Sequence, residues 1–90
     1  MIETPEARLK RIRMRAWRRG MKEMDLILGP WADVSLTELD AATLDNLDAL
    51  MAQNDQDLYQ WVTGRAHPPA PFAALIAEIG TFARVRLAKA

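Results

Sequence analysis

Few side chains in this sequence have the chemistry for acid–base catalysis or metal binding. The chain has no cysteine and a single histidine, His67, which lies in an Ala-His-Pro-Pro run. These counts exclude a disulfide framework and a thiolate metal site, and one imidazole is too few for a histidine metal cluster. His67 is therefore interpreted as an exposed linker residue. We assign no catalytic residue and no metal ligand, and we expect a protein that is not an enzyme.

The charged side chains are segregated along the chain, although the net charge is zero. Eight basic and no acidic side chains lie within residues 8–22, whereas seven acidic and no basic ones lie within residues 33–57. Neither a phosphate-binding loop nor an EF-hand spacing is present among them. The acidic segment is interpreted as a solvated surface rather than a cation site. The molecule should therefore have a positive end and a negative flank.

The basic segment predicts a helix with cations along one stripe. At about 100° per residue, this stripe neighbours an apolar face of Leu9, Ile12 and Ala16. Its members are Arg8, Arg11, Arg15, Arg18, Arg19 and Lys22. Nucleic-acid binding is not favoured, because the acidic segment would repel phosphates, and the apolar face is too small for a membrane-surface helix. The stripe is either a solvated face or a contact for acidic groups of another protein.

The run Arg19-Gly20-Met21-Lys22-Glu23 interrupts the helical pattern. Gly20 is predicted to end the first helix as its C′ residue, to open the second, or both, and it would let another backbone approach closely. Glu23 suits the first turn of a second helix, and the arginines beside Gly20 have planar donors suited to carboxylates. These residues are compatible with a well-capped helix corner and with a contact site. In the second case, adding a side chain at Gly20 should harm function more than folding.

The elements that position these residues are predicted to be about five short helices in one all-α bundle, without a strand pattern. Gly29-Pro30 should interrupt the second helix after Leu28, although a proline at a first-turn position could restart a helix through Trp31-Ala32. Gly64 should stop the fourth helix, and prolines should make residues 65–71 an extended linker. The predicted helices cover Pro5 to about Arg18 or Arg19, Met21–Leu28, a third from a capping box at Ser35 or Thr37 to before Asn54, Gln56–Thr63 capped by Asp55, and Phe72 to about Leu87.

The candidate core follows from the apolar spacing of these helices. Trp61 is assigned to the core, whereas the positions of Trp17 and Trp31 are left open because each adjoins a predicted helix break. The stripe of the fifth helix should comprise Phe72, Leu75, Ile76, Ile79, Phe82 and Val85.

Two segments of the chain resemble the SdhE family (also called YgfY), the assembly factors that promote covalent flavin attachment to succinate dehydrogenase. The family's RGxxE motif stands here as Arg19 to Glu23, followed by Met24-Asp25, and the lead-in Arg15-Ala-Trp-Arg18 is similar to that of many members. Downstream, the run from Asp55 to Trp61 resembles the family's DxDLYxW segment. The resemblance covers residues from about 8 to 64, within one domain expected to span residues 1–90.

The resemblance implies a small helical bundle that acts as a chaperone. It implies binding to the flavoprotein subunit of succinate dehydrogenase, with that of fumarate reductase as a second candidate, and bonding of FAD to a histidine of the subunit. FAD then belongs to the partner and is not stably bound by this chain, whose own cofactor-binding residues are unknown. The residues assigned to partner binding are Arg19, Gly20, Met21, Glu23 and Asp25, with Arg11 and Arg15 from the stripe.

Further expectations concern the setting of the protein. We expect a monomer when unbound, without nucleic-acid partners and without membrane insertion. The N-terminal run MIETPEARLK lacks the apolar region of a signal peptide, so a soluble, cytoplasmic protein is predicted.

The alternative function is a small regulatory binding module, antitoxin-like or with a nucleic-acid or cytoskeletal partner. Salt-dependent retention of nucleic acid, without retention of the flavoprotein subunit, would favour that alternative.

Overall fold

The computed structural model describes residues 2–88, and their side chains as far as residue 86. Over this range the chain forms five α-helices and two short 3₁₀ turns and no β-strand, so the predicted all-α class is confirmed. The helices are α1 (Pro5–Trp17), α2 (Lys22–Ser35), α3 (Ala41–Met51), α4 (Asp55–Val62) and α5 (Ala73–Ala88), and the 3₁₀ turns cover Leu36–Glu38 and Ala70–Phe72.

Helix α1 begins as its capping residues predict. The Thr4 side chain accepts a hydrogen bond from the Ala7 N–H at 3.1 Å, and Pro5 occupies the first helical position, where its missing N–H costs nothing. Ile12 and Ala16 are buried, and Leu9 packs against them from the edge of the core. The predicted apolar face is thus confirmed, and it packs mainly on α2.

Helix α2 continues through Gly29 and Pro30, so its predicted end at Leu28 is wrong. A proline inside a helix removes one backbone hydrogen bond and costs about 3 kcal/mol. Burial of the segment that follows offsets this cost, because Pro30, Trp31 and Ala32 all lie in the interior. The helix therefore extends to Ser35, since the tertiary packing of its second half outweighs the local preference to stop.

Helix α3 begins later than its predicted capping boxes. Ser35 is the last residue of α2 and Thr37 lies in the first 3₁₀ turn, so neither caps α3. Leu36 is buried in the core, and this anchors the chain in a turn before the helix can begin. Asp40 caps α3 instead, and its side chain accepts a hydrogen bond from the Thr43 N–H at 2.8 Å.

The predicted start signal of α4 is wrong, whereas its predicted stop signal is confirmed. Asn54, not Asp55, is its N-cap and accepts a hydrogen bond from the Gln56 N–H at 2.8 Å. Gly64 follows the last turn with φ of +78°. Its N–H bonds to Trp61 O at 3.1 Å, and the Arg65 N–H bonds to Gln60 O at 2.8 Å. This pair of bonds is a Schellman motif, which confirms Gly64 as the helix stop.

All five helices and both turns contribute side chains to one apolar core. Trp31 is fully buried, whereas Trp61, assigned to the core, is half-buried and packs against Phe72 with ring centroids 6.2 Å apart. Val85 is exposed, so its place in the α5 stripe is wrong. It lies about 120° around the helix from Ile79, and Ala83 occupies the core-facing position.

Candidate functional site

The corner between α1 and α2 is built around Gly20, which has φ of +90° and is exposed. Arg18 is the C-cap of α1, and its N–H bonds to Arg15 O at 3.2 Å. Gly20 therefore lies in the turn two residues beyond the cap, neither at C′ nor within α2. Its left-handed backbone is one that residues with a side chain rarely adopt, which explains glycine at this position.

Arg19 is directed into the protein, with only 5% of its side chain exposed. Its Nε donates to Asp55 Oδ1 at 2.7 Å, Nη1 to Met51 O at 2.5 Å and Nη2 to Gln53 O at 2.9 Å. Every guanidinium nitrogen therefore has an acceptor, as a buried charge requires. These bonds connect the α1–α2 corner to the turn between α3 and α4.

The backbone of the corner is held from the α2 side as well. The Arg19 N–H donates to Asp25 Oδ1 at 2.5 Å, and Asp25 is half-buried. Met21 is the N-cap of α2, packs against the core, and accepts from the N–H groups of Met24 and Asp25 at 3.0 and 3.1 Å. The turn is thus fixed at both ends by hydrogen bonds within the chain.

These contacts give Arg19 and Asp25 a role within the chain, and their assignment to a partner surface stays a prediction. The guanidinium of Arg19 was expected to meet carboxylates of another protein, but it meets Asp55 and two carbonyls of its own chain. The carboxylate of Asp25 binds the backbone of the corner. Both residues thus help to set the shape of the corner.

Arg11 is likewise engaged within the molecule. Its guanidinium pairs with Glu3, at 2.8 and 3.0 Å, and with Asp48, at 2.9 and 2.7 Å. The hydrogen bond from Arg11 lowers the pKa of both carboxyl groups, and these carboxylates, Asp48 first, raise the pKa of Arg11. Arg8 pairs with Asp45 at 2.7 Å in the same way. The first half of the cationic stripe therefore faces the acids of α3, and Arg11 is not available as an unpaired cation.

The rest of the corner faces solvent. We call Arg15, Arg18, Gly20, Lys22 and Glu23 the corner surface; all are exposed. Within the described side chains, none of its four charged members forms a salt bridge. Of the residues assigned from the sequence, Gly20, Glu23 and Arg15 thus remain accessible, and Met21 is half-buried beneath them.

An apolar groove adjoins the corner surface and lies between α2, α4 and α5, with a volume of about 550 Å³. Leu26, Ile27, Tyr59 and Phe82 contribute to it, and Glu23 also lines it. The sequence patterns did not predict this groove, because its walls come from three helices distant in the chain.

Asp55 is a second feature that sequence reasoning missed. It was assigned as the cap of α4, whereas Asn54 is the cap and Asp55 receives Arg19. One signal was available, since Arg19 and Asp55 belong to the two segments that carry the family resemblance. A buried arginine needs a carboxylate as its partner. The two segments could therefore have been predicted to lie in contact through Arg19 and Asp55.

The part of the chain that the structure describes contains neither a metal-binding cluster nor a membrane-spanning helix. Within it, no group of three or more His, Asp or Glu side chains is placed to hold a metal ion. None of its described helices combines the length and the apolar character needed to cross a membrane.

Comparison with known proteins agrees with the resemblance carried by these segments. The family profile Sdh5, described as flavinator of succinate dehydrogenase, matches residues 10–83. Succinate dehydrogenase assembly factor 2, mitochondrial, of Mycosarcoma maydis is 35% identical over 71 residues, which are 79% of this chain and 30% of that protein. Its namesake in Dictyostelium discoideum is 29% identical over 70 residues, 78% of this chain and 50% of the relative.

A third relative of the same name, from Scheffersomyces stipitis, is 38% identical over 61 residues, 68% of this chain and 41% of that protein. The chain thus spans half or less of the length of these relatives. Their names describe mitochondrial proteins, so the cytoplasmic location expected for this chain stays a prediction. No solved structure matches the chain significantly. With a profile match over most of its length, the chain belongs to the family of succinate dehydrogenase flavinators and assembly factors.

Proposed function

We propose that this chain binds the flavoprotein subunit of succinate dehydrogenase through its corner surface and promotes the covalent attachment of FAD to a histidine of that subunit. The subunit of fumarate reductase is a second candidate partner. One observation carries the proposal: Gly20 and Glu23 are exposed on a corner that Arg19, Asp55 and Asp25 hold in one shape, in a chain of this family.

A corner of fixed shape favours protein binding because little conformational entropy is lost on association. Gly20 allows a partner backbone to approach closely, since no side chain covers it. Arg15 and Glu23 supply charges of opposite sign to the surface around it. The bond to FAD is chemistry of the cofactor and its host, so this chain contributes binding and orientation and no catalytic group of its own.

The direct test measures covalent flavin in the partner. Purified flavoprotein subunit is incubated with FAD, with and without this protein, and flavin fluorescence is followed in denaturing gels. We expect the fluorescent band to form faster when the protein is present. Equal rates in both reactions would contradict the proposal, and retention of nucleic acid instead of the subunit would support a regulatory module.

The role of Gly20 is tested by replacing it with asparagine, which tolerates a left-handed backbone. Gly20→Asn should lower the free energy of unfolding by only about 1 kcal/mol, since an added Cβ would meet nothing closer than Asp55 Oδ2 at 4.0 Å. Flavin attachment should nevertheless slow by about tenfold, as expected when the centre of an interface is obstructed.

Gly64 provides the matched control, because it has φ of +78° and nothing lies within 4 Å of an added Cβ. Gly64→Asn should show a similar loss of stability in urea denaturation and a parental rate of flavin attachment. Full activity of a folded Gly20→Asn protein would remove Gly20 from the contact surface.

A further inference from the structure

We propose that the groove between α2, α4 and α5 receives an amphipathic helix of the flavoprotein subunit. The helix places apolar side chains in the groove and a carboxylate beside Arg84 and Arg86. This inference rests on the proposed function, because it names the same partner and identifies a second part of its binding surface.

The groove is an apolar surface that the described chain leaves uncovered. Leu26 is 55% exposed on its α2 wall, while Ile27, Tyr59 and Phe82 are half-buried. Its volume of about 550 Å³ lies within the range of roughly 300–1,000 Å³ found for clefts that bind ligands. An exposed apolar groove between helices is a recurrent docking site for one face of a helix, whose anchors recur every three or four residues.

The base of the groove is held by a close helix contact. A Cβ added at Gly80 of α5 would lie 3.1 Å from Val62 O, at the end of α4. The absence of a side chain at Gly80 therefore lets α5 lie directly against α4. Val62 and Ala83 are buried beside this contact, so the groove has a packed base that does not depend on an occupant.

The charges at the edge of the groove define the chemistry of the occupant. Arg84 and Arg86 on α5 and Glu23 on α2 are all exposed. No carboxylate in residues 2–86 forms an ion pair with either arginine; the one polar side-chain contact recorded there is Arg84 Nη2 to Thr81 Oγ1 at 3.3 Å.

Protein interfaces combine an apolar centre with a polar rim, and the guanidinium group is suited to carboxylates. The occupant should therefore carry an acidic residue next to its apolar stripe, and a basic residue or an N–H group facing Glu23. A helix with charges of opposite sign on the two sides of an apolar stripe satisfies both edges. Because Glu23 belongs to the corner surface and to the groove, one partner can cover both.

Site-specific crosslinking tests which molecule occupies the groove. A photoreactive phenylalanine replaces Leu26, and the control carries it at Val34, which is on the same helix, 61% exposed and outside the groove. With the purified flavoprotein subunit, position 26 should crosslink to one helical peptide that has apolar residues three or four apart and a neighbouring carboxylate. Position 34 should give little product.

Charge reversal tests the arginine edge. Arg86→Glu should raise the Kd for the subunit about tenfold, which is the size expected for an interface contact of this kind. The control is Lys10→Glu, which makes the same charge reversal at an exposed position on α1 outside the groove. This control should alter the Kd by less than about twofold. Both variants should remain folded, because neither parent side chain forms an ion pair within residues 2–86. Arg86→Glu should melt slightly below Lys10→Glu, since an acidic side chain in the last turn of α5 opposes the helix dipole.

Several outcomes would overturn the inference. These are a crosslink from position 26 to a second copy of this chain, binding of FAD alone in the groove, or an unchanged Kd for Arg86→Glu. The flavin assay separates this failure from that of the proposed function. If the protein accelerates flavin attachment but position 26 does not crosslink to the subunit, the groove assignment alone fails. If flavin attachment is not accelerated yet the crosslink forms, the groove assignment stands and the flavinylation role fails.

Discussion

At the scale of single residues, Arg19 shows how a charge is accommodated inside a small protein. Removing a guanidinium from water costs several kcal/mol unless a counter-charge and hydrogen-bond acceptors replace the water. Asp55 supplies the charge, and the carbonyls of Met51 and Gln53 supply the remaining acceptors. The arginine of the RGxxE run therefore holds the turn that carries Gly20.

This arrangement predicts that substitutions at Arg19 lower the free energy of unfolding far more than a substitution at Arg15. Arg19→Ala should lower the free energy of unfolding by about 3 kcal/mol, because it leaves Asp55 and two carbonyls without their donor. Arg19→Lys should cost about 1–2 kcal/mol, since one ammonium cannot reach all three acceptors. Arg15→Ala, at an exposed position without an ion pair in the described structure, should change stability by less than about 0.5 kcal/mol.

Urea denaturation of the three variants and the parent measures these differences. Arg15→Ala should instead weaken binding of the subunit, and its effect should shrink as salt is raised. Equal stability of Arg19→Ala and Arg15→Ala would mean that the buried pair does not hold the corner.

At the scale of elements, α1 and α2 are joined by a close contact between a ring and a backbone. A Cβ added at Gly29 would lie 2.3 Å from Trp17 Cδ2, so the indole of α1 lies directly on the backbone of α2. Trp17 is still 40% exposed, and its Nε1 donates to Asp33 Oδ1 at 3.3 Å. Glycine is needed inside this helix because of the ring above it.

The contact predicts that the effect of Gly29→Ala changes sign with the residue at position 17. In the parent, the added methyl must displace the indole, and stability should fall by about 1–3 kcal/mol despite the better helix propensity of alanine. In a Trp17→Ala background the space is open, and Gly29→Ala should become stabilising by about 0.5–1 kcal/mol.

A double-mutant cycle of thermal or urea unfolding measures this coupling. If Gly29→Ala costs the same stability in the parent and in the Trp17→Ala background, the indole ring does not require glycine at position 29. The cycle also tests why α2 continues past Gly29 and Pro30, since the same contact packs that part of the helix against α1.

At the scale of the whole molecule, the positive end and the negative flank of the sequence meet within the fold. Arg8 and Arg11 of α1 pair with Asp45 and Asp48 of α3, and Arg11 also holds Glu3. These charges join the first helix to the third across a chain separation of 37 residues. They orient α1 on α3, and the stripe members Arg15, Arg18 and Lys22 remain exposed nearer the corner.

The pairing predicts an acid-dependent part of the stability. The Arg11 hydrogen bond holds the pKa of Asp48 below its ordinary value of 3.8, and that of Glu3 below 4.5. The folded state therefore binds fewer protons than the unfolded state in this range, and its stability rises with pH. The contribution is fully present above these ordinary values and is lost as pH falls through the lowered pKa of each group.

Arg11→Gln removes the cause of the shift and provides the test. At pH 7 and low salt it should cost about 0.5–1 kcal/mol, as for partly exposed ion pairs. Urea unfolding at several pH values from 7 to about 2.5 should show this difference shrinking below about pH 4.5. A difference that stays constant with pH would mean that Arg11 stabilises the fold by packing alone.

The sequence by itself determined features that depend on residues a few positions apart. The Thr4 cap, the Gly64 stop and the apolar face of α1 follow from local hydrogen bonding and helical periodicity, and each is confirmed. The all-α class and the family follow from the same short-range patterns, since two motif-bearing segments at the expected separation are read directly from the chain.

Only the tertiary structure decided where local preferences compete with burial. Pro30 continues a helix because the residues after it are buried, and Leu36 delays α3 because it belongs to the core. The direction of Arg19 was equally beyond local reasoning. An arginine beside a glycine turn suits solvent and interior alike, and the choice depends on Asp55, which reaches it across a chain separation of 36 residues when α4 packs in place.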